Sequence, residues 1–268
     1  SPAAYGPLQP MSGGPAVAFH HVSFGYAGGA EAVADLDFAI PKGSTVGIIG
    51  GTGSGKTTLV NLIPRFYDVT RGQVEVEGRD VREYPAGHLL EKIALVPQKA
   101  VLFEGTIRDN LRWGKEDATD EELWQALETA QAKDVVLGKE GRLDALVEQG
   151  GRNLSGGQKQ RLTIARALVK KPDILILDDS ASALDFATDL HLRQAIKALE
   201  GEMTVFIVSQ RTSSVRQADV ILVLDDGKLV GQGTHLQLLE TCPVYQEIFD
   251  SQYPGRRAEE IRQGKEEA

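Results

Sequence analysis

The sequence predicts an α/β fold, in which helices cover a largely parallel β-sheet. Short apolar runs alternate along the chain with segments of helical spacing. The clearest runs lie at 45–49, 93–96, 174–177, 204–208 and 220–224. An unbroken apolar run indicates a strand that is covered on both faces, and its alternation with helices is typical of βαβ units. The first run leads directly into a glycine-rich loop, after which apolar residues recur at helical spacing over 59–66.

Alternating apolar and polar residues predict antiparallel strands beside this sheet. Residues 17–24 alternate, but the phase shifts at His20 and His21, as in a strand with a β-bulge. A second alternating strand occupies 36–40, and the glycine-bounded segment at 74–76 indicates a hairpin. We therefore expect an antiparallel β subdomain next to the parallel core.

Helical spacing dominates the middle of the chain. It covers about 106–137, where Thr119 precedes acidic residues that favour a helix start. Another helix is predicted over 156–168. These segments predict an inserted α-helical subdomain from about residue 99 to about residue 170. Later helices are predicted near 185–199 and 234–248.

The two ends of the chain differ from its centre. Residues 1–15 are rich in proline and glycine and show no periodicity, which predicts a linker. They also lack the charged start and the long apolar stretch of a secretory signal. The tail at 251–268 is mostly charged, and we expect a solvated helix or disorder there rather than a docking element. The domain between these ends is expected to span 16–250.

Composition argues against several classes of function. The balance of 29 basic and 38 acidic residues gives a net charge of −9, which argues against a nucleic-acid-binding protein. No apolar run approaches the roughly 18 residues that a membrane-spanning helix needs. The single cysteine, Cys242, cannot form an internal disulfide or a zinc site and indicates a reducing, cytosolic environment. The five histidines show no metal-ligand spacing, and we expect them at surface or strand positions.

The glycine-rich loop at 50–57 reads GGTGSGKT, which matches the phosphate-binding P-loop pattern. Its glycines allow successive backbone N–H groups to face a polyphosphate. Lys56 adds a positive charge near the β- and γ-phosphates, and Thr57 offers a hydroxyl group to Mg²⁺. With a strand before it and a helix after it, the loop predicts nucleotide binding in a P-loop NTPase (RecA-like) core. The predicted nucleotide-binding residues of this segment are Gly51, Gly53, Ser54, Gly55, Lys56, Thr57 and Thr58.

Asp178 follows the apolar run at 174–177 directly. Ligands of open α/β sheets lie at the carboxyl ends of the strands. We therefore predict that Asp178 is the acidic residue that holds Mg²⁺ together with Thr57.

A second glycine-containing motif stands at the start of the helix predicted over 156–168. It consists of Leu154, Ser155, Gly156, Gly157 and Gln158. Free N–H groups and the helix dipole could bind an anion here, but Ser155 could equally serve as an N-cap alone. The residues by themselves leave both interpretations open.

These motifs and their order resemble the nucleotide-binding domain of ABC transporters. The order is the P-loop, Val96-Pro97-Gln98, LSGGQ, Asp178 with its strand, and Ser182-Ala183-Leu184-Asp185. The resemblance covers about 16–250, and the LSGGQ pentapeptide is highly specific to that family. Two such domains of the family pack head to tail, and each ATP lies between the P-loop of one and the LSGGQ of the other. The resemblance thus implies ATP and Mg²⁺ as ligands and a second nucleotide-binding domain as partner.

The resemblance also implies roles for single residues. Tyr26 stands where the family stacks an aromatic ring on adenine, and a core tyrosine at a strand end is the alternative. Gln98 would reach Mg²⁺ or the attacking water. Ser155 and Gly157 would contact the γ-phosphate of the opposite site, and Asp185 would lie along the dimer seam.

Two segments are similar to exporters in particular. Residues 103–111 resemble the stretch that follows the glutamine loop of exporters, and 147–151 resemble the exporter segment that touches the membrane domain. The implied function is ATP-driven export at the cytoplasmic face of the cell membrane, with a transmembrane domain of the same polypeptide before the 1–15 linker. The alternatives are a soluble ABC ATPase without transport function and a nucleotide-gated structural partner that does not turn over ATP.

Two positions depart from the family pattern. Asp179 stands where the family has a glutamate as general base, and Gln210 stands where it has a histidine against the γ-phosphate. A carboxylate misplaced by about 1 Å can cost on the order of 100-fold in rate, and an amide cannot carry the charge of an imidazolium. Both changes together resemble the degenerate-site subunit of a heterodimeric, multidrug-type exporter. We expect weak hydrolysis at this chain's own site, while its LSGGQ serves the competent site of a different subunit.

Overall fold

The computed structural model describes residues 14–199 and 201–268, so most of the predicted 1–15 linker lies outside the described residues. The chain divides into two compact units. The first unit combines Ser1–Ile93 with Glu202–Ala268, and the second is Ala94–Gly201. The second unit contains the whole segment predicted as a helical subdomain, together with the β-strand and the helix that follow it.

The strands alternate with helices over much of the chain, which agrees with the predicted α/β fold. In chain order they are β1 (Val17–Gly25), β2 (Glu31–Ile40), β3 (Thr45–Gly50), β4 (Arg71–Val76), β5 (Arg79–Asp80), β6 (Ile93–Val96), β7 (Gly105–Thr106), β8 (Leu146–Val147), β9 (Ile174–Asp178), β10 (Thr204–Val208), β11 (Val220–Asp225) and β12 (Lys228–Gly233).

The helices of the described chain are mostly short, and five of them begin at a side-chain cap. They are α1 (Lys56–Leu62), α2 (His88–Lys92), α3 (Ile107–Arg112), α4 (Asp120–Thr129), α5 (Lys133–Leu137), α6 (Gly156–Val169), α7 (Phe186–Lys197), α8 (Thr212–Val215), α9 (His235–Thr241), α10 (Pro243–Gln252) and α11 (Arg257–Glu267). Among the described residues, no helix has both the length and the apolar character needed to span a membrane.

The antiparallel sheet of the first unit has the order β2-β1-β4-β5. The pairing of β1 with β2 shifts register between Phe19 and Val22, and His21 within this shift has a φ of 48°. The bulge predicted from the phase shift is therefore confirmed. Because of it, apolar side chains on both sides of the bulge reach the same buried face, where the rings of Phe19 and Phe38 stack at 4.5 Å between centroids.

The second sheet of this unit places β12, β11, β3 and β10 side by side in that order. Strand β3 pairs in parallel with both β10 and β11, and its residues from Val46 onward are buried. Strand β12 pairs antiparallel with β11. The sequence did not predict β12, because its residues alternate only between partly buried and exposed positions and offer no apolar run.

In the second unit, β6 and β9 lie side by side, and helices make up most of the rest. Thr106 and Thr119 cap α3 and α4 through capping boxes. The sequence predicted the start of α4 from Thr119 and the acidic residues that follow it. Arg108 donates to both oxygens of the Asp120 carboxylate at 2.9 and 3.0 Å and also pairs with Asp144. This bidentate pair joins α3 to the first turn of α4.

The charged tail forms α11, and none of the residues of α11 is buried. It is nevertheless docked. The Glu260 carboxylate contacts His235 Nε2 at 3.0 Å and Arg216 at 2.5 Å, and Ile261 packs against the apolar cluster of β11, α9 and α10. The tail is thus helical, which was one of the two expected states. It also docks on the rest of its unit, which was the weaker of the alternatives expected from the sequence. A mostly charged sequence does not show which of its residues will contact the rest of the chain.

His235 corrects a second expectation, because it lies buried at the first position of α9 rather than at the surface or in a strand. Its Nδ1 lies 2.6 Å from the Tyr245 hydroxyl. Burial lowers the pKa of His235, although the hydrogen bond with Glu260 opposes this shift. Burial also raises the pKa of Tyr245. The folded chain therefore favours the neutral imidazole.

The lowered pKa of His235 predicts that stability falls on acidification. Below its ordinary pKa, the unfolded chain binds a proton that the folded chain resists, so the unfolding free energy decreases as pH falls from about 7.5 to about 5.5. Thermal unfolding across this range should show a smaller loss for His235→Gln than for the unchanged chain. His21→Gln is the control, because the Asp35 hydrogen bond raises the pKa of His21 and gives the opposite sign. Parallel curves for the unchanged chain and His235→Gln would contradict this prediction.

Candidate nucleotide-binding site

The loop between β3 and α1 is shaped by its glycines. Gly53 and Gly55 adopt φ values of 75° and 102°, which side-chain-bearing residues rarely tolerate. A Cβ atom at Gly55 would stand 2.8 Å from Val33 Cγ1, and one at Gly50 would collide with the Leu224 carbonyl oxygen. The glycines of the predicted P-loop therefore stand at positions where the backbone conformation or the close packing disfavours a side chain.

The loop borders a cavity of about 260 Å³. Residues 53–58 line it together with Glu31, Ala32, Asp226 and Gly227. Six of the predicted nucleotide-binding residues are among them, namely Gly53, Ser54, Gly55, Lys56, Thr57 and Thr58. Gly51 lies in the same loop with open space where a Cβ would stand. The sequence motif and the cavity thus coincide.

Lys56 folds back over the loop. Its Nζ donates to the carbonyl oxygens of Gly50 at 2.7 Å and Gly51 at 2.9 Å, and it lies 3.4 Å from Ser54 Oγ. An ammonium group has three donors and a compact charge, so it can hold the loop and attract an anion from the same position. The chemistry of this loop fits a polyphosphate.

Tyr26 lies beside the first turn of α1, the helix that follows the P-loop. Its hydroxyl is 3.2 Å from Thr58 Oγ1, and its ring makes edge contacts with Phe24 and Tyr67. The side chain is 46% exposed, which does not fit the alternative of a core tyrosine. Tyr67, at 40% exposed, is a second aromatic residue of this surface that the sequence reasoning missed. No sequence motif marks Tyr67, because it is distant from Tyr26 in sequence and the folding of the chain brings the two rings together.

Gln210 is exposed in the loop between β10 and α8. Ser209 binds that loop to the parallel sheet, since its N–H donates to the Ile48 carbonyl oxygen at 3.1 Å. Ile48 lies in the strand that leads into the P-loop. Gln210 is thus attached to the same unit as the predicted P-loop residues.

In the second unit, the LSGGQ segment forms the start of α6. Ser155 Oγ accepts from the Gln158 N–H at 3.2 Å, and Gln158 Oε1 accepts from the Ser155 N–H at 3.0 Å. The N-cap interpretation is therefore confirmed, and the contact with phosphate stays a prediction. A Cβ at Gly157 would stand 3.2 Å from the Ala183 carbonyl oxygen, so this glycine allows a close approach of two backbones. Leu154 is buried just before the cap.

One residue that the sequence reasoning missed joins three motifs of this unit. Gln160 is 5% exposed and projects from α6. Its Nε2 donates to the Gln98 carbonyl oxygen at 3.3 Å and to Ser182 Oγ at 3.0 Å, while its Oε1 accepts from the Ala183 N–H at 2.8 Å. A single amide thus ties the glutamine loop and the segment before Asp185 to the LSGGQ helix. No local pattern marks it, because its partners are distant in sequence.

The predicted carboxylates lie at ends of elements, as expected. Asp178 is buried at the end of β9, and Asp179 follows it with a φ of 54°. This left-handed conformation is better tolerated by aspartate than by longer side chains. Asp185 caps α7, and its Oδ1 accepts a hydrogen bond from the Thr188 N–H at 2.7 Å. This hydrogen bond lowers the pKa of the Asp185 carboxyl group below its ordinary value.

The predicted magnesium ligands differ in location. Thr57 belongs to the first unit, whereas Gln98 and Asp178 belong to the second. Within the described parts of the chain, no group of three or more His, Cys, Asp or Glu side chains is placed to hold a metal ion. Mg²⁺ that is bound with a nucleotide commonly takes one or two carboxylates and completes its shell with phosphate oxygens and water.

Comparison with known proteins gives a consistent result. A family model described as ABC transporter matches residues 33–182. An uncharacterized ABC transporter ATP-binding protein of Mycobacterium tuberculosis is 48% identical over 221 residues, which are 81% of this chain and 38% of that protein. The β-(1→2)glucan export ATP-binding/permease protein NdvA of Bartonella bacilliformis is 44% identical over 224 residues, covering 84% of this chain and 38% of its own.

A solved structure described as a bacterial Atm1-family ABC exporter with ATP bound is similar in fold. The TM-score is 0.86 at 37% sequence identity, and the match covers 89% of this chain and 42% of that one. The chain therefore spans about two fifths of the length of the proteins that it matches.

The positive φ of Gly55 predicts that alanine destabilises the chain more at position 55 than at position 51. Gly55→Ala should destabilise the chain by about 1 to 3 kcal/mol, because alanine would be strained at this φ and would press on Val33. Gly51→Ala, with open space and no positive φ, should stay within about 0.5 kcal/mol. Urea unfolding without nucleotide measures both. Equal unfolding midpoints for the two variants would contradict this account of the loop.

Proposed function

Since the chain belongs to the ABC transporter family, we propose that it is the ATP-binding motor domain of an exporter. The observation that carries this proposal is the coincidence of the P-loop sequence with a cavity lined by residues 53–58. The Lys56 ammonium lies against the same loop. These features match a triphosphate rather than an uncharged ligand, since backbone donors and a lysine charge recognise phosphate.

We propose that ATP binds with Mg²⁺, which stabilises the charge on the transferred phosphate. The proposed ligands of the ion are the Thr57 hydroxyl group, the Asp178 carboxylate and the Gln98 side-chain amide. Tyr26, with its exposed ring face, would stack on the adenine. This assignment is supported by the chemistry of each group, since hydroxyl, carboxylate and amide oxygens all suit Mg²⁺.

The partner in this proposal is a second ABC nucleotide-binding domain. Ser155 and Gly157 at the start of α6 would contact the γ-phosphate bound by the partner. The exposed N-terminal turn of α6, with Ser155 and Gly156 accessible, supports this role. Asp185, which caps the next helix, would lie along the seam between the two domains.

A transmembrane domain of the same polypeptide is the second proposed partner. NdvA is named as an export ATP-binding/permease protein, and the match covers only 38% of its length. We propose that the present chain likewise acts at the cytoplasmic face of the cell membrane, joined to such a domain. Nucleic acid is not among the proposed partners, in keeping with the net charge of −9.

We further propose that this chain's own site hydrolyses ATP poorly and that the partner subunit supplies a competent site. Asp179 is one methylene shorter than glutamate, and its left-handed backbone suits aspartate. Gln210 can donate a hydrogen bond to a phosphate but cannot add charge. The proposed partner therefore differs from this chain and carries glutamate and histidine at these positions.

The degenerate-site proposal predicts that two substitutions restore turnover. The double variant Asp179→Glu with Gln210→His should raise steady-state ATP hydrolysis of the purified chain by about 100-fold, because it restores the reach of the base and the charge at the phosphate. Mixing the unchanged chain with a partner that carries both residues should raise hydrolysis as well. Phosphate release measured under saturating Mg·ATP reports both results.

The control separates catalysis from backbone strain. Asp35 is exposed and also has a positive φ, at 52°, so Asp35→Glu makes the same change away from the site. It should leave hydrolysis unchanged. Brisk hydrolysis by the unchanged chain alone would refute the degenerate site, and no gain in the double variant would place the defect elsewhere. Nucleotide-dependent dimerisation without phosphate release, even with the partner, would favour a structural role.

A further inference from the structure

The loop that carries Gln210 is held by one side chain from a distant helix. Gln252, the last residue of α10, donates from Nε2 to the Gln210 carbonyl oxygen at 2.6 Å. Its Oε1 accepts from both the backbone N–H and the hydroxyl group of Thr212, each at 2.9 Å. A single amide thus engages the backbone on both sides of Arg211.

These bonds replace a local cap that the loop lacks. Thr212 begins α8, and Arg211 before it provides no side-chain cap. On the other side of the loop, the Arg211 N–H donates to Ser209 Oγ at 3.0 Å, and Ser209 is bonded to β3. The loop is therefore fixed by the sheet at one end and by Gln252 at the other.

Helix α10 is a firm support for this contact. Tyr245 and Phe249 are buried in a cluster that also contains Val215, the last residue of α8. Beyond α8, Arg216 pairs with Glu260 of α11 at 2.5 Å. Helix α8 is therefore attached to the C-terminal helices at both of its ends.

We propose that Gln252 is a positioning residue that presents Gln210 to the terminal phosphate of the bound nucleotide. The proposal rests on the function proposed above for Gln210. It makes α10 and α11 part of the response to the γ-phosphate, because a shift of α10 moves the backbone of Gln210. Gln252 itself touches no nucleotide in this arrangement. It is exposed, so its substitution need not disturb the core.

The test compares the affinities for Mg·ATP and Mg·ADP in the full 268-residue chain. Gln252→Ala should weaken ATP binding by about 2- to 10-fold, the range expected for a lost hydrogen bond, and should leave ADP binding unchanged. Gln246→Ala is the matched control on the same helix, since Gln246 Nε2 donates to the Leu239 carbonyl oxygen and to no atom of the loop. It should change neither affinity.

A second variant separates positioning from helix capping. Gln252→Glu can still accept from Thr212, but it cannot donate to the Gln210 carbonyl oxygen. If Gln252 only capped α8, glutamate would keep the ATP affinity. In the present proposal Gln252→Glu weakens ATP binding, as alanine does.

A double-mutant cycle with Gln210→Ala separates the proposed role of Gln210 from the positioning role of Gln252. Gln210→Ala should weaken ATP but not ADP binding, and adding Gln252→Ala should cost little more, because both act through one contact. If Gln210→Ala weakens ATP binding but neither Gln252 variant does, the role of Gln252 is refuted and that of Gln210 stands. Additive effects also refute the positioning role. If Gln210→Ala has no effect, the proposed role of Gln210 fails, and the inference fails with it.

Discussion

The backbone of the loop after β3 must turn sharply while its N–H groups remain available to a ligand. The surrounding parts of the first unit hold the loop in this conformation. The turn needs positive φ at Gly53 and Gly55, so neither of these two positions has a side chain that could stiffen the loop. Rigidity comes instead from β3, which is buried between β10 and β11, and from Lys56, whose ammonium bonds two carbonyl oxygens of the loop. The adjacent strand β10 leads into the loop of Gln210, so the same sheet positions both features.

Neutral amides perform a similar task in both units. Gln160 in the second unit and Gln252 in the first each offer a donor and an acceptor to backbone groups of motif loops. An amide satisfies both kinds of backbone group at once and carries no charge that would have to be desolvated. The loops that carry Gln98, Ala183 and Gln210 are thereby fixed by side chains that belong to no recognised motif.

Much of the fold and of the candidate site could be predicted from the sequence, because the strongest signals are local. Apolar runs gave the parallel strands, a phase shift gave the bulge in β1, and glycine spacing gave the P-loop. The helix after the P-loop was expected to reach Phe66, but α1 ends at Leu62 and Phe66 is 52% exposed. Strand β12 was missed because it offers no apolar run, although its partner β11 directly precedes it in the chain. The burial of His235, the docking of Glu260 and the two bridging glutamines were missed because each depends on a partner in another element, for which no periodicity exists.

We propose that this chain binds ATP at a complete P-loop but lacks a well-placed base to hydrolyse it. The most direct measurement is the identity of the nucleotide bound to the purified chain after rapid mixing with Mg·ATP labelled on the γ-phosphate. A loss of about 100-fold from a typical turnover of about 10 per second leaves about 0.1 per second, so bound ATP should persist for about ten seconds or longer. Conversion of the bound ATP to ADP within about one second would contradict the claim.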